Sequence, residues 1–511
     1  MTYLLAHDLG TSGNKATLYS SDGKLIASRV HHYDLLVTNG NWAEQRAEDW
    51  WNAVCTTTRE LLSTVDPSQV AAVSFSGQMM GCLCLDAHGE PVRNAIIWAD
   101  MRSSAQEQHV RREMKEEDFY RITGHRISPS YSAFKLAWIR ENEPEVYAKT
   151  AVTLNAKDYI VYKLTGRIAT ENSDASSTCA YDLVKGTWSD EMLSVFGLEK
   201  SKMPEVLPST AIAGKVTAEA ARATGLVEGT PVVMGGGDGP CAAVGTGCVR
   251  EGIANSCMGT SSWISMASRI PVVDPDMTTV NFGHVVPGYC MPCGTIQSGG
   301  GSLSWAVSRL CGGEKAAAAA EGRDVYDRVE EAVRRSPAGA KGLLFLPHLI
   351  GERSPHWDPD ARGAFLGLTL EHTLDDVMRS VMEGVALTLD MVLDAFTKQV
   401  NIDRLVVIGG GARSESWLKM FADVYGVEIQ RPNVLEEACS MGAAIIAGVG
   451  AGVFDSFDVI ERFLQIKDII SPDPTEHAKY EQLKPIFRRS YPIIRSTVHE
   501  LGAYQRSTSL V

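Results

Sequence analysis

The residues best suited to chemistry in this chain lie in glycine-rich turns that close apolar, β-rich runs. Gly10-Thr11-Ser12-Gly13 ends the run Tyr3 to Leu9, and Lys15 follows it closely. Such a turn gathers backbone N–H groups, two hydroxyls and an ammonium, and its glycines let oxygen-rich anions approach the backbone. Thr11, Ser12, Gly13 and Lys15 are therefore candidate phosphate-binding residues. Asp8, just ahead of them, is placed to hold Mg²⁺ directly or through water. The alternative is a plain β-hairpin whose aspartate caps its own turn. Gly259-Thr260-Ser261-Ser262 repeats the pattern, which strengthens the phosphate reading and adds Thr260. Gly235-Gly236-Gly237-Asp238-Gly239 follows the apolar Pro231-Val232-Val233-Met234. Glycines on both sides leave Asp238 open to a ligand, where a carboxylate can take a proton from an attacking hydroxyl. The competing reading is an Asp–Gly turn between strand and helix. Gly409-Gly410-Gly411 lets a flat group lie on the backbone ahead of a helix that Ser414 can cap.

These turns need strands ahead of them. Tyr3 to Leu9, Lys15 to Ser20 and Lys24 to Ser28 read as strands, with Asp22-Gly23 as a hairpin turn. Trp50, Trp51, Val54, Thr58 and Leu61 recur at helical spacing within Glu48 to Ser63. Ala71–Phe75, Cys82–Asp86 and Ala95–Trp98 are further predicted strands, and helices dominate from about 103 to 225. Ile253 to Met258 and Trp263 to Ala267 flank the second Gly-Thr-Ser turn, and Asp403 to Ile408 leads into Gly409 and a helix from Ser414 to Tyr425. The alanine run 316–320 belongs to a helix. Strand, Gly-Thr-Ser turn and strand thus recur at roughly 250 residues, too far apart for a solenoid. The pattern predicts two related α/β domains with a cleft between them.

Composition narrows the function classes. The 511 residues carry 48 Lys+Arg against 62 Asp+Glu, a formal charge of −14, without a long basic cluster. That balance disfavours nucleic acid and anionic membrane as partners. There is no apolar run of about 18 residues to span a bilayer and no secretion-signal pattern at the start, so a cytoplasmic location is expected. Eleven cysteines, an odd number, read as reduced thiols. Cys290-Met-Pro-Cys293, with His284 before it, falls short of the usual four-ligand zinc set and reads as ordinary strand sequence, as do Cys82 and Cys84. P-loop, Rossmann, HExxH and G-x-S-x-G patterns are all missing, which leaves ATP bound by a non-P-loop route.

Longer motifs then carry a resemblance. Ser130 to Asn142 (S-Y-S-A-F-K-L-A-W-I-R-E-N, with Lys135 and Trp138) and Gly363 to Gly384 (G-A-F-L-G-L followed by D-V-M-R-S-V-M-E-G) are similar to the two signatures of the FGGY carbohydrate kinases. D-L-G-T-S-G at 8–13, W-A-D-M-R at 98–102, F-L-P-H-L-I-G-E-R-S-P-H at 345–356 and G-G-G-A-R-S at 409–414 most resemble the xylulokinase branch. The likeness covers nearly the whole chain. It implies two actin-like (ribonuclease H-like) ATPase domains, 1–248 holding sugar and catalytic base and 249–511 holding ATP, with an interdomain cleft. It also implies Asp238 as general base, Asp8 as the Mg²⁺ residue, and Thr11, Ser12 and Thr260 on the ATP phosphates. Gly300, Gly410 and Gly411 would lie near the adenosine, with Ser414 and Glu415 at its edge. Gln78, Met79, Met80, Trp98 and Asp100 would wall the sugar pocket beside Asp238 and Gly239. For Met79, Met80 and Trp98 the alternative is core packing, and for Gln78 and Asp100 a polar group satisfying a turn.

Two positions depart from the branch. Met80 stands where it typically has histidine, and Gly239 where asparagine usually follows the base. Each exchange removes a hydrogen-bond partner for sugar hydroxyls, which weakens discrimination. The expected reaction is D-xylulose to D-xylulose 5-phosphate at the expense of ATP. Another ketose or a polyol is the alternative within the family, and a nucleotide-gated sugar sensor the alternative outside it. Sugar and ATP are the expected partners, and a homodimer is left open.

Overall fold

The computed structural model describes residues 2–433 and 436–508, built around two seven-stranded sheets. In the first, β1 (Tyr3–Leu9), β2 (Gly13–Ser20) and β3 (Leu25–His32) form an antiparallel meander. After α1 (Ala47–Leu62) the chain returns as β4 (Val70–Gly77), parallel to β1. A largely helical stretch follows, including α2 (Ser132–Asn142), α3 (Ala156–Thr165) and α4 (Asn172–Ser176). Then β5 (Ile212–Lys215), β6 (Pro231–Val233) and the short β7 (Gly236–Gly237) complete the order β5-β6-β4-β1-β2-β3, with β7 also on β4. Helix α5 (Asp238–Gly245) starts directly from β7.

The second sheet opens with the antiparallel pair β8 (Ile253–Met258) and β9 (Ser262–Met266), followed by β10 (Val280–Gly283) and β11 (Cys290–Ile296). Helices α6 (Gly300–Leu310), α7 (Val325–Arg335) and α8 (Leu374–Thr397) precede β12 (Arg404–Ile408), which runs parallel to β8. The remainder is α9 (Glu415–Tyr425), β13 (Glu428–Pro432), α10 (Ala438–Gly450), β14 (Ile466–Ile470) and α11 (Pro474–Thr508). Strand β8 pairs antiparallel with β9 and parallel with β12, as β1 does with β2 and β4. The strand–turn–strand repeat in the sequence is therefore a repeat of topology.

Several predicted strands sit elsewhere than the large sheets. Leu83–Leu85 pairs with Val152–Leu154, and Ala95–Ile96 with Trp42–Gln45. The latter ladder stops short of Trp98 because Asp100 Oδ2 takes the N–H of Ala43 at 2.6 Å, a donor the ladder would otherwise use. Both faces of β1 are covered. Leu5 and Leu9 belong to one apolar cluster with Trp50 and Tyr159, while Leu4 and Ala6 join Val244 and Ile445 in another. This is the period-2 alternation of a strand buried on both sides.

The second of those clusters brings α5 and α10 together over the first sheet, backbone to backbone. A Cβ on Gly442 would fall 1.9 Å from the Cys241 carbonyl, and one on Gly245 1.9 Å from that of Ala438. Gly442→Ala must push the two helices apart, and overpacking of this kind costs about 1–3 kcal/mol. A urea titration should show a lowered midpoint; an unchanged midpoint would mean that the pair separates freely.

Candidate active site

The Gly10–Gly13 turn is held by hydrogen bonds on several sides. Gly10 N–H donates to the Gly13 carbonyl at 3.0 Å, and the Tyr33 hydroxyl donates to the Gly10 carbonyl at 2.5 Å. Gln45 Nε2 holds the Thr11 carbonyl at 2.6 Å, and Trp98 Nε1 donates to Thr11 Oγ1 at 2.9 Å. Thr11 therefore ties the turn to the predicted sugar wall. Ser12 is exposed at the tip. Lys15 reaches across to the Glu436 carbonyl at 3.2 Å, ahead of α10.

Asp8 lies opposite Lys15 in the β1–β2 register and opposite Ser76 in the β1–β4 register. Its Oδ1 accepts from Ser76 Oγ at 2.8 Å. Burial pushes its carboxyl up, and the Ser76 bond and the Lys15 charge restrain that rise. Gly236 pairs with Ser76 from the other side, which sets the first turn of α5 beside Asp8. Asp238 opens that helix, with Oδ1 accepting from the Gly239 N–H at 2.8 Å. Burial, and then the nearby Asp8 charge, push the Asp238 carboxyl up to about 7. A carboxylate balanced there exchanges a proton near neutral pH, the condition for a general base. Among the described residues no group of three or more His, Cys, Asp or Glu could hold a metal ion. One aspartate at a phosphate turn suits Mg²⁺, which takes one or two carboxylates and fills the rest with phosphate oxygens and water.

On the other side, Thr260, Gly300, Gly410, Gly411, Ser414 and Glu415 all line one cavity of ≈ 890 Å³. Gly300 and Gly301 donate to the carbonyls of Gly259 and Thr260 at 2.8 and 3.0 Å, locking the second Gly-Thr-Ser turn to the start of α6. Gly411 lies against Met258, where a Cβ would come within 2.8 Å, whereas Gly410 faces open space. Ser414 caps α9 by accepting from Trp417 N–H at 3.1 Å, and its hydroxyl donates to Glu330 Oε2 at 2.7 Å. A short 3₁₀ turn, Gly410–Arg413, carries two of the glycines and leads into that helix. The sequence reading missed the wall supplied by α7. Val325, Val329, Ala332 and Val333 mark its apolar face, and Tyr326, Glu330 and Arg334, together with Val329, line the cavity. That amphipathic spacing was the available signal.

Gln78 spends its amide nitrogen on Gln45 Oε1 (2.7 Å) and the Gly10 carbonyl (3.4 Å), while its Oε1 is buried without a partner. Met79 is buried against Gly237, and Met80 is half-buried with φ 62°. Met79 clusters with Phe282 and Met291 of the second sheet, beside the partly buried Met80, Trp263 and Trp357. This apolar face from the far domain was not foreseen, because it exists only once the two sheets meet. At Gly239 a Cβ would meet only Met291 Cε, at 3.4 Å, so the wall admits a Cβ there. Asp100 corrects an expectation. It is fully buried, and its two oxygens are taken by Arg102 and the Ala43 N–H. It braces the wall from behind and presents no acceptor to the cleft. The Cys290/Cys293 pair lies in β11, where residues three apart face opposite sides.

The FGGY carbohydrate-kinase N-terminal domain model matches residues 3–245, and the C-terminal domain model matches 254–451. The chain belongs to the FGGY family of carbohydrate kinases. It is 34% identical to a xylulose kinase of Lactococcus lactis subsp. lactis, covering 98% of this chain and 99% of that one. It is also 30% identical to a gluconokinase of Bacillus licheniformis, with 99% of both covered. The crystal structure of a xylulose kinase from Rhodospirillum rubrum superposes with a TM-score of 0.90 at 29% identity, covering 97% of this chain and 100% of that one. As an FGGY kinase the chain is a phosphotransferase with ATP and a sugar as substrates, in the two-domain actin-like fold. This sets aside the sensor alternative. No described helix is long and apolar enough to cross a membrane.

Proposed function

We propose that the chain phosphorylates the terminal hydroxyl of a ketopentose, with D-xylulose to D-xylulose 5-phosphate as the reaction. The observation that carries this reading is Asp238, a base balanced near neutrality where the glycine turn of the first domain meets the apolar face of the second. Asp238 takes the proton of the attacking hydroxyl as it approaches the γ-phosphorus in line. Thr11, Ser12, Gly13, Lys15 and Thr260 hold the phosphates from the two turns. Gly300, Gly410, Gly411, Ser414 and Glu415 seat the adenosine. Asp8 is the residue that would hold Mg²⁺, which when bound neutralises charge on the phosphate oxygens. Gln78, with its free buried acceptor, joins Met79, Met80, Trp98 and Gly239 around the sugar. Residues 1–248 form the sugar and base domain and 249–511 the ATP domain. Unpaired thiols at all eleven cysteines support a cytoplasmic location.

A second acceptor class is favoured by Met80 and Gly239, and by the gluconokinase among the relatives. ADP release with Mg·ATP across ketopentoses, polyols, aldoses and aldonates separates the readings. A sharp response to D-xylulose supports the first. A response confined to another acceptor overturns the substrate while keeping the kinase.

If the missing imidazole limits D-xylulose turnover, Met80→His raises kcat/KM for that sugar, by about tenfold for one regained hydrogen bond. An unchanged or lower kcat/KM would show that the loop is adapted to a different acceptor.

A further inference from the structure

Behind the cleft, one short segment touches three of its working parts. Ser173 and Ser176 lie in α4 and Ser177 directly after it, and each hydroxyl accepts from a backbone N–H of a different wall. Ser173 Oγ takes the Gly237 N–H at 2.9 Å, one residue before Asp238. Ser177 Oγ takes the Met80 N–H at 3.3 Å, in the sugar loop. Ser176 Oγ takes the Gly283 N–H at 2.8 Å, at the end of β10 in the opposite domain.

The protons of these hydroxyls are already committed. Ser173 donates to Glu171 Oε1 (2.6 Å), Ser176 to the Ser173 carbonyl (2.7 Å) and Ser177 to the Asp174 carbonyl (2.9 Å). A serine hydroxyl has one proton, so its lone pairs are what remain for the three N–H groups. Glu171 is itself held, accepting from Ser209 Oγ at 2.6 Å and from the N–H groups of Ser173 and Asp174 at 2.8 and 2.9 Å.

The held backbones need such anchors. Gly236 and Gly237 have no side chain to pack, and a Cβ would fall 2.2 Å from Val285 Cγ1 at the first and 2.4 Å from Met79 Sδ at the second. Met80 adopts a positive φ, which residues other than glycine seldom do. It is held from both ends, by Ser177 on its N–H and by Lys135 Nζ on its carbonyl at 2.9 Å.

We propose that Ser173, Ser176 and Ser177 are the positioning residues of the site: Ser173 sets the peptide bearing Asp238, Ser177 sets the sugar loop, and Ser176 registers both against the second domain. The inference rests on Asp238 being the base. A sugar seated on residues 78–80 is then aligned with its base through one rigid segment, so a shift of either wall is felt at the other.

The test uses Ser173→Ala and Ser177→Ala in the full chain, with Asp238→Ala as control and ATP affinity as the check on folding. Ser173→Ala is expected to lower kcat about tenfold, since small misplacements of a reacting group are costly. Freed from Ser173, the peptide lets water reach Asp238, so the acid limb of kcat/KM moves to lower pH. Ser177→Ala is expected to raise the sugar KM about fivefold while the ATP KM stays put, because one hydrogen bond to the loop is lost. Loss of active fraction alone would leave both the pH profile and the sugar KM unmoved. Wild-type kcat and pH profile in a folded Ser173→Ala, beside an inactive Asp238→Ala, overturn the proposal. An active Asp238→Ala overturns instead the base reading beneath it. If Ser173→Ala does not fold, an unchanged sugar KM in Ser177→Ala overturns the proposal.

Discussion

Asp238→Ala should lower sugar phosphorylation by at least about 10²-fold and leave ATP binding largely intact, since a positioned base typically contributes 10²–10⁴-fold. The two effects separate because the cavity proposed for the nucleotide is lined by residues of the second domain, from Met258 to Trp417. The pH dependence follows from the same carboxyl. Burial and the Asp8 charge hold it near 7, and a base accepts a proton only when ionised. Below pH 7 the protonated fraction grows, so kcat/KM of the wild type falls about tenfold per pH unit. Residual activity in Asp238→Ala should lose that acid limb. A divalent cation on Asp8 offsets the negative charge that helps raise Asp238, so saturating Mg²⁺ should move the limb downward. An ADP-coupled assay across pH, with and without excess Mg²⁺, reads all three effects. Near-normal turnover in the variant would remove Asp238 from the reaction.

What the sequence made legible, and what it did not, divides along the reach of the forces involved. Glycine turns after apolar strands are local events, and the turns beside Asp8, Thr11, Asp238 and Thr260 could be placed because turn and strand share one short window. Ser414 was readable as a cap for the same reason, and it accepts the Trp417 N–H. Asp100 was not. Its carboxylate looks free in W-A-D-M-R, yet Arg102 and the distant Ala43 N–H consume it. Helix α10, far down the chain, covers the first sheet, where Ile445 joins Leu4 and Ala6, and no local pattern announces that pairing. The apolar wall around Met291 and Trp357 likewise arises from the meeting of two sheets. Motif resemblance named parts that periodicity alone left open, but it gave no hint of the serines behind Asp238 or of the charges beneath them.

Those charges carry the largest stability effect expected in the molecule. Lys157 is fully buried under Gly77, with Nζ 2.5 Å from Asp158, 2.9 Å from Asp174 and 3.4 Å from Glu171. Removing one member of a buried ion cluster leaves charge uncompensated in low dielectric, at a cost of about 3–5 kcal/mol. Lys157→Met, which keeps the length of the stem, should therefore unfold at a much lower urea concentration than the wild type. The sign of the pH dependence is fixed by the groups left behind. In the wild type, burial desolvates the Lys157 ammonium, but the three carboxylates outweigh that and hold its pKa well above the usual lysine value. Its contribution is thus complete below about pH 10.5 and lost only as pH rises through that raised value. Burial already pushes Asp158 and Asp174 up. Without the ammonium they rise further, so the folded variant binds more protons than its unfolded chain from about pH 4 upward. Stability of Lys157→Met must then fall as pH rises, and its deficit against the wild type should be smallest near pH 5 and widest above pH 7. Urea titrations at several pH values measure the deficit. A deficit that stays constant with pH would show that Lys157 contributes packing and not charge. Glu171 also anchors Ser173, so the same substitution should loosen Asp238 and lower kcat before global unfolding begins.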